Sequence, residues 1–231
     1  MKKHIPILAY HSFDTVRFPK NKLAISPDLF RVHMERLRRG GYEVVPLAKC
    51  AELRGKESIF QSLTALTFDD GYLDNYEHAF PVLARLGFPG TFFVTPEAVG
   101  TKGFMTWGML KEMLRTPGIE IGSHGLFHKP LADISENEAR TSIFDSKKLL
   151  EDKLATPVRA FSYPSGSFTG KIVGMVREAG YQYACAASHV HDRRYLGNPH
   201  LLRRIKISVT SESPHGFFWR LSGFYHAFGR P

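Results

Sequence analysis

Short apolar runs alternate with stretches of helical spacing about seven times along this chain, and that alternation confines it to an α/β fold with a parallel sheet. The runs cover 5–10, 42–45, 63–68, 91–94, 118–122, 158–162 and 181–186, and Ile205 and Ile207 mark a last one. Between them, Ser26-Pro27 opens a helix that ends at Gly40-Gly41, and 75–86 is helical with Pro81 as a kink or restart before Gly87. Thr106-Trp107 opens a helix through Leu114, Ser135 and Glu138 form a capping box at the head of 135–154, and 169–179 is stopped by Gly180. Leu47, Ala51 and Leu53 precede a polar loop at 54–58. At 231 residues with 43% hydrophobic content, the chain suits one (β/α) barrel whose site lies at the C-terminal strand ends. No repeat, linker or low-complexity segment divides it, so a single domain over 1–231 is expected.

The polar residues at those strand ends carry the chemistry. Asp69 and Asp70 follow the buried run 63–68 and precede Gly71, a residue suited to a sharp turn. Adjacent carboxylates at the end of a buried strand need positive compensation, and a divalent cation would supply it. The plain alternative is an ordinary Asp-Asp-Gly turn. His124 and His128 follow the run 118–122, and two imidazoles four residues apart converge on one ion if the segment is helical or tightly turned. With Asp70 they make a two-His, one-carboxylate set that leaves coordination positions open, the mark of a catalytic rather than a structural centre. His11 ends the first strand in the same way and reads either as a surface loop residue or as an acid/base group opposite Asp69. Trp107 reads as a core or rim residue or as a sugar-stacking platform, while Asp74 and His78 carry no pairing signal.

Thr67-Phe68-Asp69-Asp70-Gly71-Tyr72 and Ser123-His124-Gly125-Leu126-Phe127-His128 resemble the first two signature motifs of NodB-type polysaccharide deacetylases, carbohydrate esterase family four. Arg159-Ala160-Phe161-Ser162-Tyr163-Pro164-Ser165-Gly166 resembles the third, and the likeness runs from about Ile5 to Ile207. The resemblance implies a single distorted (β/α)7 barrel and a metal-dependent removal of acetyl groups from N-acetylated amino sugars of a polysaccharide or glycan precursor. Asp70, His124 and His128 would hold Zn²⁺, with Co²⁺, Ni²⁺ or Mn²⁺ as alternatives, and Asp69 would be the base. By the same resemblance Arg159 would hold Asp69 ionised, Ser165 would present the oxyanion N–H, and Tyr163, Tyr72 and Trp107 would meet the substrate. Tyr10-His11 matches an early motif of the poly-N-acetylglucosamine deacetylase branch, which makes His11 the expected acid. This chain departs from the family at Pro164-Ser165, where Pro-Tyr is usual, and has neither the Asp-rich fourth motif nor the late Leu-x-His. An O-acetyl esterase, a non-sugar amidohydrolase or an inactive carbohydrate-binding module are the alternative readings.

A net charge of +9 favours acidic partners, or merely a solvated basic exterior; no nucleic-acid motif accompanies it. The two cysteines, Cys50 and Cys185, lie in apolar segments and suggest no disulfide framework. Met1-Lys2-Lys3 is followed by too short an apolar run for a signal peptide, so the expected location is the cytoplasm, or the inner face of a membrane. The segment 211–231 gathers Phe217, Phe218, Trp219, Leu221, Phe224, Tyr225 and Phe228 among basic residues. It reads as a helix packed on the barrel or as an aromatic-basic element touching a membrane. His189, His191 and His200 form a loose group with Asp192 in an expected loop.

Overall fold

A computed structural model describes residues 5–15, 23–53, 62–186, 197–208 and 214–221. In chain order the elements are β1 (Ile7–Tyr10), α1 (Pro27–Arg39), β2 (Glu43–Val44), α2 (Leu47–Glu52), β3 (Leu63–Phe68), α3 (Phe80–Leu86), β4 (Gly90–Val94), α4 (Trp107–Met113) and β5 (Ile119–Ser123). There follow α5 (Glu136–Leu154), β6 (Ala160–Ser162), α6 (Gly170–Glu178), β7 (Tyr183–Ala186), β8 (Leu202–Arg203), β9 (Ile205–Lys206) and α7 (Pro214–Leu221). All strand pairs are parallel, in the order β8-β7-β6-β5-β4-β3-β1-β9, and β2 pairs with the start of β3. β8 and β9 are one stretch of chain interrupted at Arg204. β8 pairs with β7 and β9 with β1, so Leu202–Lys206 brings the two ends of the sheet together into a nearly closed, seven-position barrel.

The helix starts follow the local chemistry. The side chains of Ser26, Thr106, Ser135 and Thr169 accept from the third residue of α1, α4, α5 and α6, and Glu138 answers Ser135 in the capping box. Pro81 is a restart: a π-helical turn at Asn75–Ala79 precedes it, and Pro81 enters the first turn of α3, where its missing N–H costs little. Leu47, Ala51 and Leu53 belong to the short helix α2 and its end rather than to a bare approach to a loop. The loop at 54–58 lies outside the described residues.

Alternation along each strand divides the side chains between two cores. Outward residues pack under the helices, and here a ladder of rings follows the register: Tyr10 pairs with Phe68 and Phe68 with Phe92. Their ring centroids are 5.5 and 4.4 Å apart, and Phe30 of α1 meets Tyr10 edge-on at 5.1 Å. Burial of each such ring is worth about 1.5–3 kcal/mol. The same register sets His11 beside Asp69, the next residues along, both facing the lumen. Inward residues Ala65, Phe93, Ala160, Cys185 and Leu202 fill the barrel, and Leu47 and Cys50 of α2, with Leu53 at its end, pack against them. Gly122 is required here because a Cβ would stand 2.6 Å from the Phe93 ring. The lumen is therefore filled between its two ends, and the strand-end polar residues meet at the mouth. Both cysteines are buried, and neither is in a disulfide among the described residues.

Helix α7 packs on α1. Phe217 is buried and stacks on His33 at 4.0 Å, while Phe218 and Trp219 are exposed. Among the described residues no helix is long and apolar enough to cross a membrane. Residues 222–231, and with them Phe224, Tyr225 and Phe228, lie outside the described residues.

Candidate active site

Five strand ends deliver their side chains to one mouth: His11 after β1, Asp69 and Asp70 after β3, His124 after β5, Ser162 at the end of β6, and Arg204 between β8 and β9. Asp70 reaches the mouth only because the backbone turns sharply. Its φ is +74° and that of Gly71 is +77°, and a Cβ on Gly71 would press on Val94 at 3.0 Å. A left-handed non-glycine residue costs about 1–3 kcal/mol and is held by its surroundings, as functional strand ends often are. His124 and His128 converge through a tight turn rather than a helix. Gly125 has φ +76°, and a Cβ there would meet Ser142 Oγ at 2.9 Å.

Asp70 Oδ1 lies 3.4 Å from His124 Nε2 and 3.3 Å from His128 Nε2, and the three donor atoms fall within 4.8 Å of one another. Asp70 Oδ1 is buried with no hydrogen-bond partner among the described residues. Such an orphaned carboxylate oxygen facing two imidazole nitrogens fits a divalent transition metal. His124 Nδ1 lies 2.8 Å from the Ser162 carbonyl oxygen, which can only accept, so Nδ1 carries the proton and Nε2 presents its lone pair to the shared gap.

Asp69 is buried, and its partner is Arg204. The guanidinium donates to Oδ1 and Oδ2 at 2.6 Å each, to Thr67 Oγ1 at 3.2 Å and to Ser162 Oγ at 2.9 Å. Burial alone would push the Asp69 carboxyl up. The Arg204 charge and hydrogen bonds, with His124 and His11 nearby, outweigh it and hold the group well below the usual carboxylate range. His11 Nε2 lies 3.8 Å from Asp69 Oδ2. Burial pulls the His11 imidazole below its ordinary value, and Asp69 and Asp70 push back only in part.

The structure corrects two readings of the sequence. Arg159 is exposed at the start of β6, at the opposite end of the barrel, beside a cavity of about 280 Å³ shared with Glu120 and Tyr183. It cannot reach Asp69 because it precedes its strand, whereas the mouth receives residues that follow theirs. Tyr163 faces outward from β6: its ring is buried, its N–H donates to the Cys185 carbonyl and its hydroxyl to the His200 carbonyl at 3.1 Å. It is a core residue with no face for a substrate. Sequence reasoning missed Arg204, which follows Arg203 in the closing stretch and carries no local signal.

The remaining candidates fall as follows. Tyr72 stacks on Phe104 at 5.2 Å, and the pair lines a cavity of about 400 Å³ that adjoins Asp70 and His128 and also includes Thr95, Glu97 and Phe127. Trp107 is half-buried against the outer core and does not line that cavity. Ser165 is exposed with φ +55° in the turn after β6. His200 is buried with Nε2 2.8 Å from the Tyr181 carbonyl oxygen, which removes it from any surface cluster; His189, His191 and Asp192 lie outside the described residues.

The polysaccharide deacetylase family model matches residues 60–184, more than half of the chain, including both Asp69-Asp70 and the two histidines. The chain belongs to the polysaccharide deacetylase family. YxkH of Bacillus subtilis (strain 168) is 30% identical over 205 residues, which cover 88% of this chain and 71% of that protein. The poly-beta-1,6-N-acetyl-D-glucosamine N-deacetylase of Escherichia coli (strain K12) is 27% identical over 133 residues, 51% of this chain and 20% of that protein. Among solved structures, the Streptococcus pyogenes deacetylase PplD superposes with a TM-score of 0.84 at 24% identity, covering 96% of this chain and all of that one. That likeness establishes the shared barrel fold.

Proposed function

We propose that this member of the family is a metal-dependent N-deacetylase that hydrolyses the acetamide of an N-acetylated amino sugar in a polysaccharide or glycan precursor. The observation that carries the reading is the convergence of three ligands, an arginine-held carboxylate and a histidine in one barrel mouth. Asp70, His124 and His128 would hold the ion, with Zn²⁺ the best match to two imidazoles and a carboxylate. Such an ion supplies Lewis-acid chemistry at the amide carbonyl and makes water more acidic.

The chain's own residues supply the rest. Asp69, kept ionised by Arg204, accepts a proton from the water that attacks the carbonyl carbon. As the C–N bond breaks, His11 Nε2 gives a proton to the leaving nitrogen, and acetate and a free amine result. A histidine held below its ordinary pKa is a strong donor once protonated, which suits a poor leaving group. The Ser165 N–H is the candidate donor to the developing oxyanion: Pro164 has none, and the Gly166 N–H is taken by the Tyr163 carbonyl. Tyr72, Phe104 and Phe127 give the cavity beside the site the apolar faces that suit the C–H faces of a pyranose ring. The name of the Escherichia coli relative supports an N-acetylglucosamine polymer as the first substrate to try.

The test is acetate release by the metal-loaded protein from N-acetylated and O-acetylated oligosaccharides, with the Asp69→Asn variant as control. Release from N-acetylated substrates, lost in the variant, supports the reading. Release only from O-acetyl esters would replace it with an esterase, and release that survives Asp69→Asn would remove the assigned base.

A further inference from the structure

The residues just after the Asp69-Asp70 pair make contacts that the mechanism has not used. Asp74 is buried, and it does not cap the π-helical turn that it precedes. Its carboxylate instead crosses to the turn after β1. Asp74 Oδ2 accepts from Ser12 Oγ at 2.6 Å, from the Phe13 N–H at 2.9 Å and from the Asp14 N–H at 3.1 Å. Asp74 Oδ1 accepts from Asn75 Nδ2 at 2.8 Å, and the same Nδ2 donates to the His11 carbonyl oxygen at 2.8 Å. Asn75 is fully buried. Two consecutive side chains therefore bind the backbone or side chain of four consecutive residues, 11 through 14.

We infer that Asp74 and Asn75 are positioning residues for His11, tying the turn that carries it to the loop that carries Asp69 and Asp70. The inference rests on the reading of His11 as the proton donor. The His11 ring has little else to hold it: Nδ1 is buried with no hydrogen-bond partner among the described residues, and the Nε2 contact to Asp69 is 3.8 Å long. Its position is consequently set through its backbone, and the backbone is held by Asp74 and Asn75. The clamp also explains why a carboxylate and a carboxamide are buried here rather than apolar residues, since an extended turn after β1 leaves N–H groups that must be satisfied. Asn75 also begins the π-helical turn Asn75–Ala79, and such turns are common companions of functional sites.

The side chains of the two residues bond to none of the proposed ligands and do not line the cavity, so a positioning role should be read out through His11. Asn75→Ala is expected to lower kcat on an N-acetylated oligosaccharide about tenfold to a hundredfold, the loss a displacement of about 1 Å can cause. KM should stay within about twofold and bound metal near the wild-type level. The same substitution in a His11→Ala background should change the residual kcat by less than about twofold, because the residue it positions is gone. Ser12→Ala, which removes one donor to Asp74, is the milder variant if Asn75→Ala does not fold, and it should show the same dependence on His11. Equal losses in both backgrounds, or loss of metal with Asn75→Ala, would overturn the inference. If wild type releases no acetate from any substrate, the deacetylase reading fails by itself. The clamp is then read from the ¹⁵N resonances of the His11 imidazole, which a positioning role requires to shift in Asn75→Ala and which an unchanged spectrum would contradict.

Discussion

Arg204 grips both oxygens of Asp69, 2.6 Å from each, from a strand 135 residues further along the chain. This pair closes the barrel as well as setting the charge of the site, because Arg204 interrupts the stretch that pairs with β7 on one side and β1 on the other. The guanidinium is buried, passes 5.5 Å from the centre of the Phe93 ring and also donates to Thr67 and Ser162. Removing it leaves a buried carboxylate without its partner, which typically costs about 3–5 kcal/mol. Arg204→Ala is therefore expected to lower kcat/KM by at least about a hundredfold and to lower the melting temperature. Arg159→Ala should leave both near wild type. Comparable losses from the two variants would contradict the assignment of Arg204.

Acid stability gives a second view of the same pair. The folded-state pKa of Asp69 lies below its unfolded value of about 3.9. The sign follows: its contribution is present above about pH 3.9 and is lost as the pH falls through the folded value. Urea unfolding of metal-stripped protein should show a steep fall in stability below about pH 4, and the fall should be shallower in Arg204→Ala. Parallel pH curves for the two proteins would mean that the pair does not couple to folding.

Tyr163 separates a core role from a substrate role. Its hydroxyl makes one buried hydrogen bond, to the His200 carbonyl, so Tyr163→Phe should cost about 0.5–1.5 kcal/mol in unfolding free energy. Its kcat and KM should not change. A raised KM at unchanged stability would place the ring in the substrate path.

Gly125 tests how the two histidines are brought together. Gly125→Ala imposes a Cβ at φ +76° and 2.9 Å from Ser142 Oγ, so it should strain the turn by about 1–3 kcal/mol. Because that turn sets His128 relative to His124, metal affinity should fall along with stability. Isothermal titration with zinc reads this, and unchanged affinity would show that the turn does not place the ligands.

The β/α alternation, the barrel and the mouth were legible because each rests on local signals: strand-length apolar runs, Ser and Thr caps, and polar residues directly after strands. Asp69, Asp70, His124 and His128 sit in such places, and so does His11. Arg204 was not legible, since an arginine between Leu202 and Ile205 has no local pattern and gains its meaning only when the last strand meets the first. Arg159 was misplaced for the related reason that residues before a strand and after it belong to opposite ends of a barrel. Tyr163 stands one residue after Ser162, and period-two alternation sends the two side chains to opposite faces. Asp74 showed no pairing in the sequence because, apart from its neighbour Asn75, its partners are 60 to 62 residues away.

If Asp70, His124 and His128 hold a catalytic ion, the metal content of the purified protein depends on them. Purified wild type and His124→Ala are each supplied with zinc, freed of excess and analysed by inductively coupled plasma mass spectrometry, with folding checked by circular dichroism. About one equivalent of transition metal is expected in wild type and a small fraction of that in the variant. Folded wild-type protein that retains no metal, or a variant that retains as much as wild type, would contradict the assignment of the three ligands.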